Sequence, residues 1–401
     1  MAAALGTGAG ERRIHRRTTE RCGGGEVIVI VGGGVTGLST AFWLAREGHP
    51  VTVVEKGIVG WEASGRNGGG CTHPYSPLFR EEQRLWPMMD ELLGHPTEWR
   101  PHRLKVALDE GQLDRLWKST KLATDQGFEA APLDRAELRD LVPWVGDNAV
   151  GGIHWKYGGH ANPQRTSQAY AWAVERHGGR ILQHTAVRGI RTQGGRAVAV
   201  ETSAGEIGCD AVVIAAGPHT AALAAPLGHR VPMAPARVEM IVTEPLPPIA
   251  YGGVDGNGLY GRQTLRGNLA YGGGPHEWID LDGEATPRPV NSPVVASLAR
   301  RLNELFPRLG HVRVIRSWGG IVENTPDGRP ILDRLEDPGN VVVASMSSVG
   351  FGLSPATGRA LAQLVLQGHC DFADLSQLTL SRFGNLPLDW RSRQGWEAMP
   401  A

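Results

Sequence analysis

Cysteine is nearly missing from this chain. The four present in 401 residues, Cys22, Cys71, Cys209 and Cys370, form no Cys-x-x-Cys pair and no cluster with histidine. That excludes a disulfide framework and a metal or iron–sulfur centre built from the chain's own residues, and it fits a reducing, cytoplasmic setting. No apolar run approaches the roughly eighteen residues of a membrane-spanning helix. Charge of one sign is also missing: Lys+Arg and Asp+Glu each number 41, for a formal net charge of zero. A nucleic-acid partner, which needs a broad basic face, is not expected. Arg12-Arg13 and Arg16-Arg17 lack an apolar core before Gly23, which argues against a twin-arginine export signal. Residues 1–25 read as a flexible N-terminal extension, and no internal repeat is visible.

Glycine is abundant, 55 residues, about twice the usual share. Much of it stands beside apolar strands, where backbone must approach a ligand closely. The length calls for two packed lobes rather than one core. Val27–Val31 is a β-branched run too short for a helix and apolar enough for a buried strand. A glycine turn follows, then a helix over Leu38–Glu47 and a second strand over Val51–Val54, which together make a βαβ unit. Farther on the pattern predicts helices over 81–93, 110–127 and 164–177, and strands over 150–155, 181–202 and 211–215. From 231 to 273, short strands broken by Pro and Gly (237–243, 258–262 and 269–273) predict a mostly antiparallel second lobe. A helix over 293–306, a strand over 341–344 and a helix over 355–366 complete the pattern.

Gly32-x-Gly34-x-x-Gly37 lies between the first strand and first helix, which is the context that gives this spacing meaning. The first glycine permits the turn, the second exposes backbone N–H groups to a pyrophosphate, and the third lets helix pack on strand. The helix dipole then faces the phosphates across Val35 and Thr36. Glu55 ends the second strand, where a carboxylate accepts from both ribose hydroxyls and repels a 2′-phosphate. The spacing alone leaves FAD and NAD both open. The loop Ser64-Gly65-Arg66-Asn67-Gly68-Gly69-Gly70 favours FAD, because it supplies polar backbone able to cross a pyrophosphate and reach a flavin.

With Val53-Val54-Glu55-Lys56 and Ser64-Gly65-Arg66-Asn67-Gly68-Gly69, the fingerprint resembles the D-amino-acid-oxidase superfamily of flavoproteins, and within it the branch of sarcosine oxidase β subunits, glycine oxidases and hydroxyproline dehydrogenases. Val213-Ile214-Ala215-Ala216-Gly217, Thr325-Pro326-Asp327-Gly328-Arg329-Pro330 and Gly350-Phe351-Gly352-Leu353-Ser354-Pro355 are similar to later motifs of that family, in the same order. The resemblance implies an α/β fold: a Rossmann-type FAD-binding domain with a mostly antiparallel α+β substrate domain inserted. The expected division assigns 26–80, 145–222 and 312–370 to FAD, 81–144 and 223–311 to a substrate or cap domain, and 371–401 to a C-terminal tail.

The resemblance further implies that Val187 contacts adenine through its backbone, that Ala216 and Gly217 pass the flavin, and that the turn at Gly350–Leu353 reaches its pyrimidine edge. Noncovalent FAD is expected, since Gly320 stands where monomeric sarcosine oxidases carry the attaching cysteine. The implied activity is oxidation of a C–N bond of an amine or amino acid. Arg262, Tyr260, His73 and Arg66 are the candidate substrate-side residues, Arg262 as the cation for a carboxylate. Sarcosine-oxidising relatives tend to carry Gly-His-Gly-Phe-Lys before the last helix; here Val349 replaces the histidine and Gly352 the lysine. That predicts a smaller, more apolar pocket floor and a substrate other than simple sarcosine. The resemblance leaves room for partner subunits or a homo-oligomer. An NAD-dependent dehydrogenase, or a flavin-binding relay subunit without its own chemistry, are the alternative readings.

Overall fold

The computed structural model describes residues 27–281 and 290–398. The expected N-terminal extension, 1–25, lies outside these residues, as do the last three of the tail.

Six strands form the first sheet, in the order Ile331–Arg334, Val341–Ser345, Ala211–Ile214, Ile28–Val31, Val51–Val54 and Arg180–Leu182. All pairings are parallel except that of the outermost strand, Ile331–Arg334. The strands are apolar on both faces because both faces are covered. Ile28, Ile30, Val53 and Val213 pack under the helices Val35–Arg46, Pro163–Arg176 and Gly350–Gln367, through Leu38, Phe42, Tyr170, Leu353 and Leu361. Val29, Val31, Val54, Val212 and Ile214 face the other way, onto Ala197 and Val200 of a three-stranded antiparallel sheet.

A second lobe holds two further sheets. Ala234–Pro245 is the central strand of one, paired with Asn268–Gly272, Glu277–Trp278 and Val314–Asn324, and Tyr260–Gln263 extends it. The other runs in the order Val254–Gly256, Arg100–Ala107, Gly151–His160, Ala130–Leu133. Helix Ser292–Leu305 closes the core between them, where Leu298, Leu302 and Leu305 meet Ile241, Leu269, Tyr271, Leu104 and Val106.

Three expectations are corrected. The helix expected over 81–93 is broken at Pro87 into Phe79–Leu85, a tight turn at Trp86–Met88, and Met89–Leu93. Proline lacks the N–H that would carry a helix through. The last long helix begins at Gly350 rather than near 355, so Pro355 lies inside its second turn and the Gly350–Leu353 stretch is helix, not turn. The segments 151–160 and 314–324, grouped above with the FAD domain, hydrogen-bond into the sheets of the second lobe. A strand's partner is a long-range choice, and local pattern does not specify it.

Candidate functional site

At the C-terminal edge of the parallel sheet lies a cavity of about 640 Å³, within the size range of cofactor sites. Its middle is the first turn of helix Val35–Arg46. Gly32 has φ 110° and a Cβ there would stand 2.4 Å from the Ala215 carbonyl oxygen, so only glycine serves. A Cβ on Gly37 would lie 2.1 Å from the Gly32 oxygen, which is how the helix start comes down onto the strand. No side chain caps Gly34 and no acidic residue occupies the first turn. Gly34, Val35 and Thr36 line the cavity, so the positive end of the helix opens into it. Ser64 Oγ accepts from the Val35 N–H at 2.9 Å, tying the loop to the helix start.

One end is walled by Glu55, Lys56, His184, Ala186, Val187 and Ser203. The buried Glu55 carboxylate accepts from the Gly33 N–H (2.8 Å) and the Gly57 N–H (2.7 Å), which fixes it beside the glycine turn with lone pairs to spare. At the other end, Ile321, Val322 and Glu323 face Met346, Ser348, Gly350 and Phe351. A second helix start, at Gly350, thus points into the same space. Glu323 Oε1 accepts from the Met346 N–H at 2.9 Å, and burial raises its carboxyl above the ordinary range. Two open helix starts along an otherwise largely apolar channel fit an elongated diphosphate: one for phosphates, one for a ring on which negative charge develops.

The FAD dependent oxidoreductase family (DAO) matches residues 28–364. The chain belongs to this family of FAD-dependent oxidoreductases. The β subunit of a sarcosine oxidase from Rhizobium meliloti is 31% identical over 85% of this chain and 84% of its own length. An opine oxidase subunit from Agrobacterium tumefaciens is 30% identical over 89% and 97%. The crystal structure of glycine oxidase from Geobacillus kaustophilus superposes with a TM-score of 0.81 at 26% identity, covering 89% of this chain and 99% of that one. Membership settles FAD against a nicotinamide cofactor, and an oxidoreductase against a relay subunit without its own chemistry.

In this FAD-dependent oxidoreductase, Gly32, Gly34, Val35, Thr36, Glu55, Lys56, Ser64, Asn67, Val187, Ala216, Gly217, Gly350 and Phe351 all line the cavity. Gly37, Gly65, Gly68, Gly69, Gly352, Leu353 and Ser354 do not. Leu353 and Ser354 are fully buried in the body of the last helix, a consequence of its earlier start. Arg66 is also corrected: its guanidinium donates to the carbonyls of Trp61 (2.7 Å) and Gly319 (2.8 Å), bracing the loop against the antiparallel sheet rather than facing the cavity.

The remaining substrate-side candidates stand where the 64–70 loop meets the second lobe. Tyr260 and Arg262 alternate with Gly261 and so share a face of their strand; Gly68 packs on Tyr260 and its carbonyl accepts from Arg262 Nη1 at 2.8 Å. Burial pulls the Arg262 guanidinium down to about 10, opposed through space by Glu98. His73 follows the loop in sequence and is bound to Glu82 at 2.8 Å. At Gly352, where a smaller and more apolar floor is expected, the His73 ring lies against the glycine.

Sequence reasoning missed Glu323, Met346, Ser348, Ile321, Val322 and Ser203 as cavity residues. Only Glu323 had a usable signal, its place just before Thr325-Pro326-Asp327. That motif is itself a brace: Thr325 Oγ1 donates to the Arg329 carbonyl, and Asp327 accepts from Arg382. Among the described residues there is no helix long and apolar enough to cross a membrane and no metal-binding cluster.

Proposed function

We propose that this enzyme oxidises the C–N bond of a carboxylate-bearing amine larger than sarcosine, with FAD held noncovalently in the cavity. The parallel-sheet lobe holds the cofactor and the antiparallel lobe presents the substrate. Gly32, Gly34, Val35 and Thr36 would receive the pyrophosphate, Glu55 the adenosine ribose, Val187 the adenine, and Gly350 and Phe351 the pyrimidine side of the flavin. When bound, FAD supplies the hydride acceptor: the substrate's α-carbon loses a hydride, and the resulting imine is hydrolysed by water to a carbonyl compound and an amine. What the chain itself contributes is orientation and exclusion of water.

The observation that carries the reading is Arg262. It is 8% exposed, and among the described residues its hydrogen bond goes to a neutral carbonyl while Glu98 acts on it only through space. A buried guanidinium so poorly compensated gains from a substrate carboxylate. The names of the relatives, sarcosine, opine and glycine oxidases, support the same substrate class. Two of these relatives are themselves subunits, which supports partner chains here as well; a fully active monomer in sedimentation would refute that part.

The test is a panel of primary and secondary amino acids, including N-carboxyalkyl amino acids, mixed anaerobically with the flavin-loaded protein. Bleaching of the flavin by a carboxylate-bearing secondary amine, with sarcosine slow, is the expected result. No bleaching by any amine would overturn the function, and efficient bleaching by sarcosine would overturn the substrate size. Flavin remaining on the denatured polypeptide would overturn noncovalent binding.

A further inference from the structure

His73 and Glu82 form a dyad that the substrate-binding argument does not use. Glu82 stands on helix Phe79–Leu85 and is completely buried. One of its carboxylate oxygens accepts from His73 Nδ1 at 2.8 Å, the other from the His73 backbone N–H at 3.1 Å. Both bonds go to one residue, so the ring is fixed in place and in orientation. A carboxylate only accepts; Nδ1 therefore carries the hydrogen, and in the neutral ring the lone pair lies on Nε2.

The ring lies at the junction of the two segments that close the Gly350 end of the cavity. Gly350 and Phe351 line that end, and a Cβ on the next residue, Gly352, would stand 2.2 Å from His73 Cε1 and 2.8 Å from Nδ1. The same Cβ would be 2.6 Å from the Gly70 carbonyl oxygen, at the end of the loop that contributes Ser64 and Asn67 to the cavity. Glycine at 352 is thus what admits an imidazole to this place. The His73 side chain keeps 13% exposure while its partner has none, so what access the dyad has is through the ring.

We propose that His73 is the proton acceptor for the substrate's ammonium group and that Glu82 is its positioning residue. This rests on the amine-oxidising reading above. The step is a single proton transfer: the substrate's N–H bond breaks, the Nε2–H bond forms, and the electron pair stays on the substrate nitrogen, which is then able to support hydride loss from the neighbouring carbon. The imidazolium that results is balanced by Glu82 at its other nitrogen. Among the described residues, the titratable groups that reach this ring or its partner are few. Tyr75 meets the ring edge-on from the same loop. Cys71 feels Glu82 and, from the second lobe, Arg103 and Arg262; burial pushes its thiol well up, so it remains neutral. Helix Gly350–Gln367 presents only Gly352 here, its Arg359 being turned to Glu81.

The test is anaerobic flavin reduction by a bleaching amine, followed as a function of pH in the flavin-loaded protein. His73→Gln should slow reduction at neutral pH by about a hundredfold, the scale of general-base catalysis, and the loss should vanish above the substrate amine's own ionisation, where no acceptor is needed. Glu82→Gln should give a smaller loss with the same high-pH recovery. Gly352→Ala keeps both dyad residues but pushes the ring aside, and should reproduce the His73→Gln profile; it also answers the case in which His73→Gln does not fold. If the wild type is bleached and these variants match it, or lose rate equally at every pH, the dyad has no such role and the functional reading stands. If no amine bleaches the wild type, both fall.

Discussion

On the parallel-sheet side, the site is made of backbone. Gly32, Gly34 and the first turn of helix Val35–Arg46 meet the cavity with N–H groups, and the Glu55 carboxylate beside that turn is held by two backbone N–H groups. On the antiparallel side, next to the loop that closes on the second lobe, stand charged side chains buried between sheets. Arg103 donates to both oxygens of Asp255, Lys105 also reaches that carboxylate, and Arg262 lies nearby with no carboxylate bonded to it among the described residues. His160 sits among them with both ring nitrogens unbonded, held well below the usual histidine range by burial and by Arg103, Arg262 and Arg100. The difference has a physical reading. Backbone N–H groups can hold a ligand whatever the side chains are, whereas the buried charges of the second lobe exist only because particular side chains occupy those positions.

The comparison breaks most visibly at Gly32. A Gly32→Val variant must place a branched side chain at φ 110° and against the Ala215 carbonyl. Strain alone costs about 1–3 kcal/mol, and the purified protein should carry almost no flavin absorbance. On the other side, the largest effect belongs to Asp255→Asn. Burial would raise this carboxyl, but Arg103 and Lys105 outweigh it and hold the group well below the usual carboxylate range. The stability so gained is complete above the unfolded value of about 3.9 and drains away as pH falls through the folded value. The variant should lose about 3–5 kcal/mol at neutral pH, the cost of unbalancing a buried ion pair. Denaturant unfolding at about pH 7 and in strong acid should show that gap narrowing in acid.

Arg262→Met sharpens the contrast, since it should leave flavin binding intact. A charged hydrogen bond lost in a buried site is worth about 1.5–3 kcal/mol, so KM for a carboxylate-bearing amine should rise by between tenfold and a hundredfold, with no change for an amine lacking the carboxylate. Equal losses for both would remove Arg262 from substrate recognition. The smallest effect is expected for Glu55→Gln. An amide can still accept one ribose hydroxyl, so the dissociation constant for FAD, measured by fluorescence titration, should rise about tenfold, or about 1.4 kcal/mol.

Legibility divides along the same line. The placing of Gly32, Gly34 and Glu55 at the cavity, and of Gly37 where helix meets strand, could be read because it depends on spacing along one βαβ unit, and spacing is what a sequence displays. Arg262 was legible as a cation on a strand, but not as one lacking a close counter-charge, since that depends on where Asp255 and Glu98 come to rest. Glu82 was not legible at all. It stands in an ordinary amphipathic stretch, and nothing marks it until the Phe79–Leu85 helix brings it under His73. Gly352 reads in sequence as a loss, a side chain gone from the pocket floor; in three dimensions it is the gap into which another segment sends an imidazole.

By itself, then, the sequence determined the strand–glycine turn–helix that opens the first sheet and the order of the later motifs, because local backbone geometry and spacing enforce them within a few dozen residues; the flavin followed from the family resemblance those motifs carry. Which strands joined the second lobe, which arginine went uncompensated and which histidine took the place beside Gly352 were decided only when distant segments packed. Those choices rest on burial and charge pairing between residues far apart in the chain, and such energies have no expression in local pattern.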